Sequence, residues 1–159
     1  MTWGKSLIGG AIAAAMLAAA PAQAADKARI TGLSDVNFGL IAFTGDQSLS
    51  QSVCAYSDSS TKGYSVVATG SGSGGAFELS GAVPLPYDVL WADSAGQTGG
   101  SALIAGTASS GFTSTASQQF CNSGPPASAS LTIVIRAATL GSTGAGSYSG
   151  TLQLMIAPE

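Results

Sequence analysis

Several short segments of this chain alternate apolar and polar side chains with a period of two residues. Residues 131–136 read LTIVIR, and residues 148–156 read YSGTLQLMI. Successive side chains of a β-strand point to opposite faces, so this pattern predicts strands with one buried face and one face toward solvent. By the same criterion, we expect extended segments at residues 30–40, 49–56, 64–69 and 85–91. No segment after residue 24 has apolar residues at helical spacing, so we expect an all-β chain.

The alternation also groups side chains on common faces. The sets are Val53 and Ala55; Tyr64, Val66 and Ala68; Leu85, Tyr87, Val89 and Trp91; Leu131, Ile133 and Ile135; and Tyr148, Leu152, Leu154 and Ile156. Stretches rich in glycine and serine lie between the strands, and we expect loops at residues 70–75, 95–101 and 123–128. About seven short strands separated by turns favour a β-sandwich of two sheets.

The first 24 residues have the three parts of a cleavable export signal. Lys5 supplies the positive charge, residues 7–20 form an apolar run, and Pro21 precedes the small-residue site Ala22-Gln23-Ala24. A run of about 14 residues is shorter than the roughly 20 that a membrane-spanning helix requires. We therefore expect cleavage after Ala24, export of one domain at residues 25–159, and no membrane span after cleavage.

Charged side chains are sparse, and acidic ones outnumber basic ones. The chain has 5 lysines and arginines against 8 aspartates and glutamates, which gives a net charge of −3. Binding to a phosphate backbone requires clustered basic residues. Nucleic acid is therefore not an expected partner.

The chain contains two cysteines, Cys54 and Cys121. In an oxidising compartment, an isolated pair in a small domain is most simply a disulfide. The alternative is a reactive or metal-binding pair, which would lack both a CxxC spacing and a histidine to assist it.

Candidate catalytic groups are few. The chain has no histidine, which excludes Ser-His-Asp and Cys-His nucleophiles as well as His-ligated metal sites. Glu78, Asp88 and Asp93 are candidates for a glycosidase carboxylate pair, but nothing in the sequence makes any two of them converge, and solvated carboxylates at turns or strand ends are more common. The segment GSGSGG at residues 70–75 matches a dinucleotide fingerprint in letters alone, because no helix is expected after it. We expect no catalytic activity, no cofactor and no metal.

A secreted carbohydrate-binding module is an alternative function for such a sandwich. Aromatic side chains provide the large rigid surfaces on which ligands stack, and Tyr87 and Trp91 are the candidates here. Their alternation with small and polar residues favours positions in the core instead.

Five pieces of the sequence occur together in a characteristic order. They are VNFG at 36–39, SVC at 52–54, YSVV at 64–67, LPYDVLWAD at 85–93 and GSYSGTLQLMI at 146–156. With these pieces behind an export signal, the chain resembles the spore coat protein U-like family, which includes pilins of the archaic chaperone–usher pathway. The resemblance extends over nearly all of residues 25–159.

The resemblance implies an immunoglobulin-like, Greek-key sandwich that lacks one strand. In that family a periplasmic chaperone, and later a neighbouring subunit, adds the missing strand by donor-strand complementation. Tyr148, Leu152, Leu154 and Ile156 would then belong to the C-terminal strand that forms one wall of the acceptor groove.

The implied function is that of a non-enzymatic structural subunit of a pilus or cell-surface layer, with cell adhesion as a role. Its implied partners are a periplasmic chaperone, an usher and neighbouring subunits. The implied localisation is the periplasm in transit and then the cell surface or fimbrium, or secretion from the cell.

Two features depart from the family pattern. Family members commonly place a cysteine ahead of the VNFG element to pair with the one at Cys54, and here Cys121 is the available partner. Family pilins also carry an apolar N-terminal donor, whereas residues 25–29 contain no apolar ladder. The expectation is a subunit that accepts a strand but donates poorly, at one end of a fibre. The alternatives are a short donor containing Ile30 and Leu33, and a self-contained outer-layer protein with the same fold.

Overall fold

The computed structural model describes residues 26–41 and 44–159. The expected export signal at residues 1–24 lies outside the described residues. The strands are β1 (Ala28–Thr31), β2 (Gln47–Ser57), β3 (Gly63–Thr69), β4 (Glu78–Leu79), β5 (Leu85–Pro86), β6 (Asp88–Ala92), β7 (Ser101–Ala102), β8 (Ala108–Thr113), β9 (Ala129–Ile135) and β10 (Gln153–Pro158). The helical elements of the described residues are a 3₁₀ turn at Ser73–Gly75 and a single α-turn, α1, at Ala137–Leu140.

The strands form two main sheets. One contains five strands in the order β1-β2-β9-β6-β7, and the other contains three in the order β10-β3-β8. β4 and β5 form a separate two-stranded hairpin, which has no ladder with either main sheet. Every strand pair in these sheets is antiparallel. The all-β prediction is therefore confirmed.

Side chains from both main sheets pack into one apolar core, as the alternation predicted. Val66 of β3 and Val89 of β6 are buried together, and the inward sets of β2, β5 and β6 join the same cluster. Trp91 and Tyr64 connect the sheets directly, since the indole Nε1 donates a hydrogen bond of 3.1 Å to the Tyr64 hydroxyl. Their rings meet edge to face with centroids 6.4 Å apart, which is a favourable geometry for an aromatic pair.

The prediction that β9 turns one face to solvent is wrong. Thr132 is fully buried and Val134 is 6% exposed on the face that points away from the core. The free-energy cost of burying the Thr132 hydroxyl is offset by a hydrogen bond, since the hydroxyl oxygens of Thr132 and Ser50 are 2.7 Å apart. The Ser130 hydroxyl donates to the carbonyl of Ser94, so the loop after β6 covers the same face.

Other differences concern the ends and the existence of elements. The final strand begins at Gln153 rather than at Tyr148. The prediction omitted β8, whose sequence ASSGFT contains one buried apolar residue, Phe112. It also omitted β7 and the single turn α1, which are too short to carry a periodic signal.

The disulfide between Cys54 and Cys121 is confirmed. Their Cα atoms are 5.9 Å apart, and the bridge joins β2 to the loop before β9 across 67 positions of sequence. Both cysteines are buried, together with Ala116 and the partly buried Tyr56. The bridge therefore fixes a long loop that carries few apolar side chains of its own.

We predict that replacing both Cys54 and Cys121 by alanine lowers the free energy of unfolding by about 4 kcal/mol. Without the bridge, the unfolded chain regains the conformational entropy that closing a loop of this length removes. Urea unfolding of the oxidised parent and the double variant would measure the loss. Reduced parent protein serves as the control and should unfold near the variant. Equal stability of the oxidised parent and the double variant would contradict the prediction.

Burial raises the pKa of the Tyr64 phenol to about 12, although the hydrogen bond from Trp91 acts in the opposite direction. The phenol of the unfolded chain titrates near 10. The contribution of Tyr64 to the free energy of unfolding should therefore be fully present below that pH and fall by up to about 3 kcal/mol as the pH rises to 12. We predict that Tyr64→Phe removes most of this alkaline loss while lowering stability at neutral pH. Unfolding curves measured at several pH values test this; an unchanged alkaline slope would refute it.

Candidate functional site

An open groove of ≈1010 Å³ runs along one side of the molecule, between the two sheets. One wall is the extended segment at residues 33–41, and the other is the chain from residue 143 to Leu154. Leu131, Ile133 and Ile135 of β9 line it from the five-stranded sheet. The volume is at the upper end of the range found for ligand pockets, about 300–1,000 Å³.

The groove exists because three strands cover only part of a five-stranded sheet. Ile133 and Ile135 point to the same face of β9, yet Ile135 is fully buried and Ile133 is only partly buried. The three-stranded sheet ends at β10, which pairs with β3 on one side alone. β1 approaches β10 closely without forming a ladder with it, and apolar side chains of the core line the groove beside Leu154.

The first wall is extended but does not belong to a sheet. Gly32, with φ of +81°, turns the chain away from β2 after Thr31, a conformation that glycine adopts easily. Within the described residues, the segment from 33 to 41 makes no backbone-to-backbone hydrogen bond. It is tied to β2 through a side chain instead, because the Ser34 amide donates to Oε1 of Gln51 at 2.9 Å. This wall therefore has its own unused backbone donors and acceptors.

The second wall is held away from the sheet by the β4–β5 hairpin. Ser149 and Ser80 form an isolated bridge with two backbone hydrogen bonds, of 2.7 and 3.0 Å. The Tyr148 hydroxyl donates to the Gly144 carbonyl at 2.8 Å, and its ring lies where a side chain at Gly81 would be, 2.3 Å from an added Cβ. These bonds explain why β10 begins only at Gln153.

The pairing pattern shows which backbone groups of β10 face the groove side. The Glu159 amide donates to the Gly63 carbonyl at 3.0 Å, and β10 continues in the same register along β3. Hydrogen-bonded and non-bonded pairs alternate in an antiparallel ladder. The backbone groups of Leu154 and Ile156 therefore point to the free edge, where the described residues offer them no backbone partner. Pro158, the next outward-facing residue, has no N–H to offer.

Three of the four residues predicted for the groove line it in the structure, and the fourth does not. Tyr148, Leu152 and Leu154 line it. Ile156 packs against the core without lining the groove. The sequence prediction missed the residues opposite, among which Val36 and Phe38 are partly buried in the 33–41 wall. Their spacing of two residues was a signal that could have identified them.

The alternative sugar platform at Tyr87 and Trp91 is not available. Trp91 is fully buried and Tyr87 is 6% exposed, because both belong to the inward set of β5 and β6. Too little of either ring is exposed to form a surface platform, although Tyr87 contributes to the lining of the groove. The structure thus contradicts these two residues as a surface platform, in agreement with the alternation that favoured the core.

Two of the three candidate carboxylates have structural partners of their own, and the third, Glu78, is partly buried in β4. Asp88 pairs with Arg136 on the surface, while Asp93 accepts a hydrogen bond from the Thr113 amide. Among residues 26–41 and 44–159, no cluster of three or more histidine, cysteine or acidic residues could hold a metal ion. In the same ranges, no helix is long and apolar enough to cross a membrane.

The groove is nearly uncharged. Asp35 is the charged residue among those that line it, and it is exposed at the 33–41 wall. Burial raises the pKa of the Tyr87 phenol, so this hydroxyl stays neutral over the physiological range. An occupant with apolar side chains therefore buries little charge on this protein.

Comparisons with known proteins leave the groove to be interpreted from its geometry. No family model matches the chain, and neither a curated protein nor a solved structure does so.

We predict that Ile135→Ala lowers the free energy of unfolding by about 2–5 kcal/mol, as expected for a buried isoleucine. Ile133→Ala on the same face of the same strand should cost clearly less, because part of its side chain already contacts water in the groove. Urea unfolding of the two variants gives a matched comparison. Equal losses would mean that the groove is closed in solution.

Proposed function

We propose that this chain is a non-enzymatic, exported structural subunit that accepts a β-strand from another protein and assembles into a surface fibre or layer. The single observation that carries the proposal is the outer edge of β10, which has no strand partner among the described residues and lies beside an apolar groove of ≈1010 Å³. The family resemblance of the sequence supports the same function. On this proposal, the fold is an immunoglobulin-like Greek-key sandwich that lacks one strand.

Strand addition would use both the outward backbone groups of β10 and the accessible apolar side chains of the groove. An extended peptide beside β10 would bond to the outward backbone groups of Leu154 and Ile156, and its alternate side chains would cover Ile133. Six residues of β10 span about 20 Å at 3.3 Å per residue, so a short strand is sufficient. The combination of main-chain bonds and apolar contacts is the usual source of affinity in such complexes.

An empty groove also explains the need for a partner during export. An unpaired edge next to exposed apolar side chains is a template for aggregation. A periplasmic chaperone that lends a strand would protect this edge, and a neighbouring subunit at an usher would then replace it. The disulfide between Cys54 and Cys121 suits the oxidising compartment in which this exchange would occur.

We predict that the exported chain is isolated as soluble aggregates by itself and as a monomer when co-expressed with a strand donor. A suitable donor is a synthetic strand of alternating valine and threonine with lysines at both ends, supplied as a fusion or as a free peptide. Size-exclusion chromatography and thermal unfolding would measure the difference. A stable monomer that neither binds the strand nor gains stability from it would refute the proposal.

Neighbouring residues of β10 provide matched variants for this experiment. Leu154 lines the groove, whereas Met155 is 67% exposed on the opposite face. Leu154→Ser should weaken strand binding by about tenfold or more, since burying a leucine contributes roughly 1.5–3 kcal/mol. Met155→Ser should leave the affinity nearly unchanged. Equal effects of the two substitutions would show that the strand binds elsewhere.

A further inference from the structure

The sandwich has a second open side, opposite the groove. Within the part of the chain that the structure describes, β8 pairs only with β3, and β7 pairs only with β6, so each leaves a free edge. A recess of ≈360 Å³ lies between them, lined in part by Trp91, Phe112 and Ser101. An incoming strand could therefore add either at the edge of β10, beside the groove, or at the edge of β8, beside the recess.

The ladder of β8 is interrupted in a way that the ladder of β10 is not. The register between β3 and β8 shifts between Tyr64 and Val66, whereas β10 pairs with β3 without a shift. At this bulge Gly111 has φ of +84°, and its amide donates to Oε2 of Glu159 at 3.1 Å. A bulge of this kind bends an edge strand and limits further pairing.

Asp93 caps the outward-facing backbone of β8. The Ser114 amide donates to the Lys62 carbonyl at 2.9 Å, so in the alternating ladder the backbone groups of Thr113 point to the free edge. There the Thr113 amide donates to Oδ2 of Asp93 at 3.2 Å. The same carboxylate lines the recess. A strand added to β8 would have to displace this acceptor and cover its charge, which is unfavourable unless the charge gains a new partner.

We propose that Asp93 closes the β8 edge to strand addition and thereby directs incoming strands to β10. The inference rests on the proposed function, because it concerns which edge of a strand-accepting protein is used. It assigns a specificity role to Asp93, which is separate from the groove. Asp93 caps an outward-facing amide in the regular part of the β8 ladder, beyond the bulge, and the outward amides of β10 have no carboxylate cap among the described residues.

The experiment measures how many copies of the valine–threonine strand bind to one chain. Each chain would be produced together with the strand, and native mass spectrometry at increasing concentrations of added peptide would give the stoichiometry for the parent and for Asp93→Ala. Asp93→Asn keeps a hydrogen-bond acceptor without the charge and separates the two contributions. Asp26→Ala removes one exposed acidic residue far along the sequence from the recess and serves as the charge-matched control.

The expected result is one strand per chain for the parent and the Asp26→Ala control, and two for Asp93→Ala at high peptide concentration. Asp93→Asn should show a second site at least tenfold weaker than that of Asp93→Ala if the hydrogen bond contributes. One strand for both the parent and Asp93→Ala would overturn the inference and leave the proposed function intact. Two strands for the parent would overturn it as well.

A separate outcome addresses the proposed function. No strand bound to the parent, but one bound to Asp93→Ala, would refute acceptance at β10 while supporting the role of Asp93. Hydrogen exchange of the parent complex covers the case in which Asp93→Ala does not fold. Strand binding should then protect the amides of Leu154 and Ile156 and leave that of Thr113 unchanged. Protection of the Thr113 amide would overturn the inference without any substitution.

Discussion

The arrangement of this protein depends on an unequal covering of one sheet by another. Five strands present an apolar inner face, and the opposite layer contains only three strands, joined to it through the contact between Tyr64 and Trp91. Where the smaller layer ends, the inner face continues, and the chain has no further strand among its described residues to place there. The partly buried Ile133, the extended 33–41 wall and the free edge of β10 are all consequences of this mismatch.

Much of the core was predictable from the sequence, for a simple physical reason. A strand with one face against a core must alternate, so Tyr64, Val66 and Ala68 could be grouped before their surroundings were known. Prediction failed where burial was achieved with small polar side chains. Thr132 reads as a surface residue, but it is buried because its hydroxyl has a partner across the sheet in Ser50. β8 carries almost no apolar signal for a different reason, since most of its side chains are exposed and Phe112 is its one buried side chain.

The groove was predictable only on one side. The alternation in the last strand indicated Leu152 and Leu154, whose neighbours in sequence are polar or exposed. Nothing local shows that Tyr148 is pulled out of the strand, because its position depends on a bridge between Ser149 and Ser80, nearly 70 positions apart. The opposite wall depends on Gly32, which ends the pairing of β1 with β2. Such distant pairings are properties of the topology and are not encoded in any short segment.

Pro158 has a consequence for how a bound strand is aligned. It occupies the last outward-facing position of β10 and lacks an amide hydrogen, so the row of donors on this edge stops at Ile156. A strand that slid by two residues toward Pro158 would lose a hydrogen bond there and gain none. The imino acid thus acts as an end-stop, which limits the number of equivalent alignments along an otherwise uniform edge.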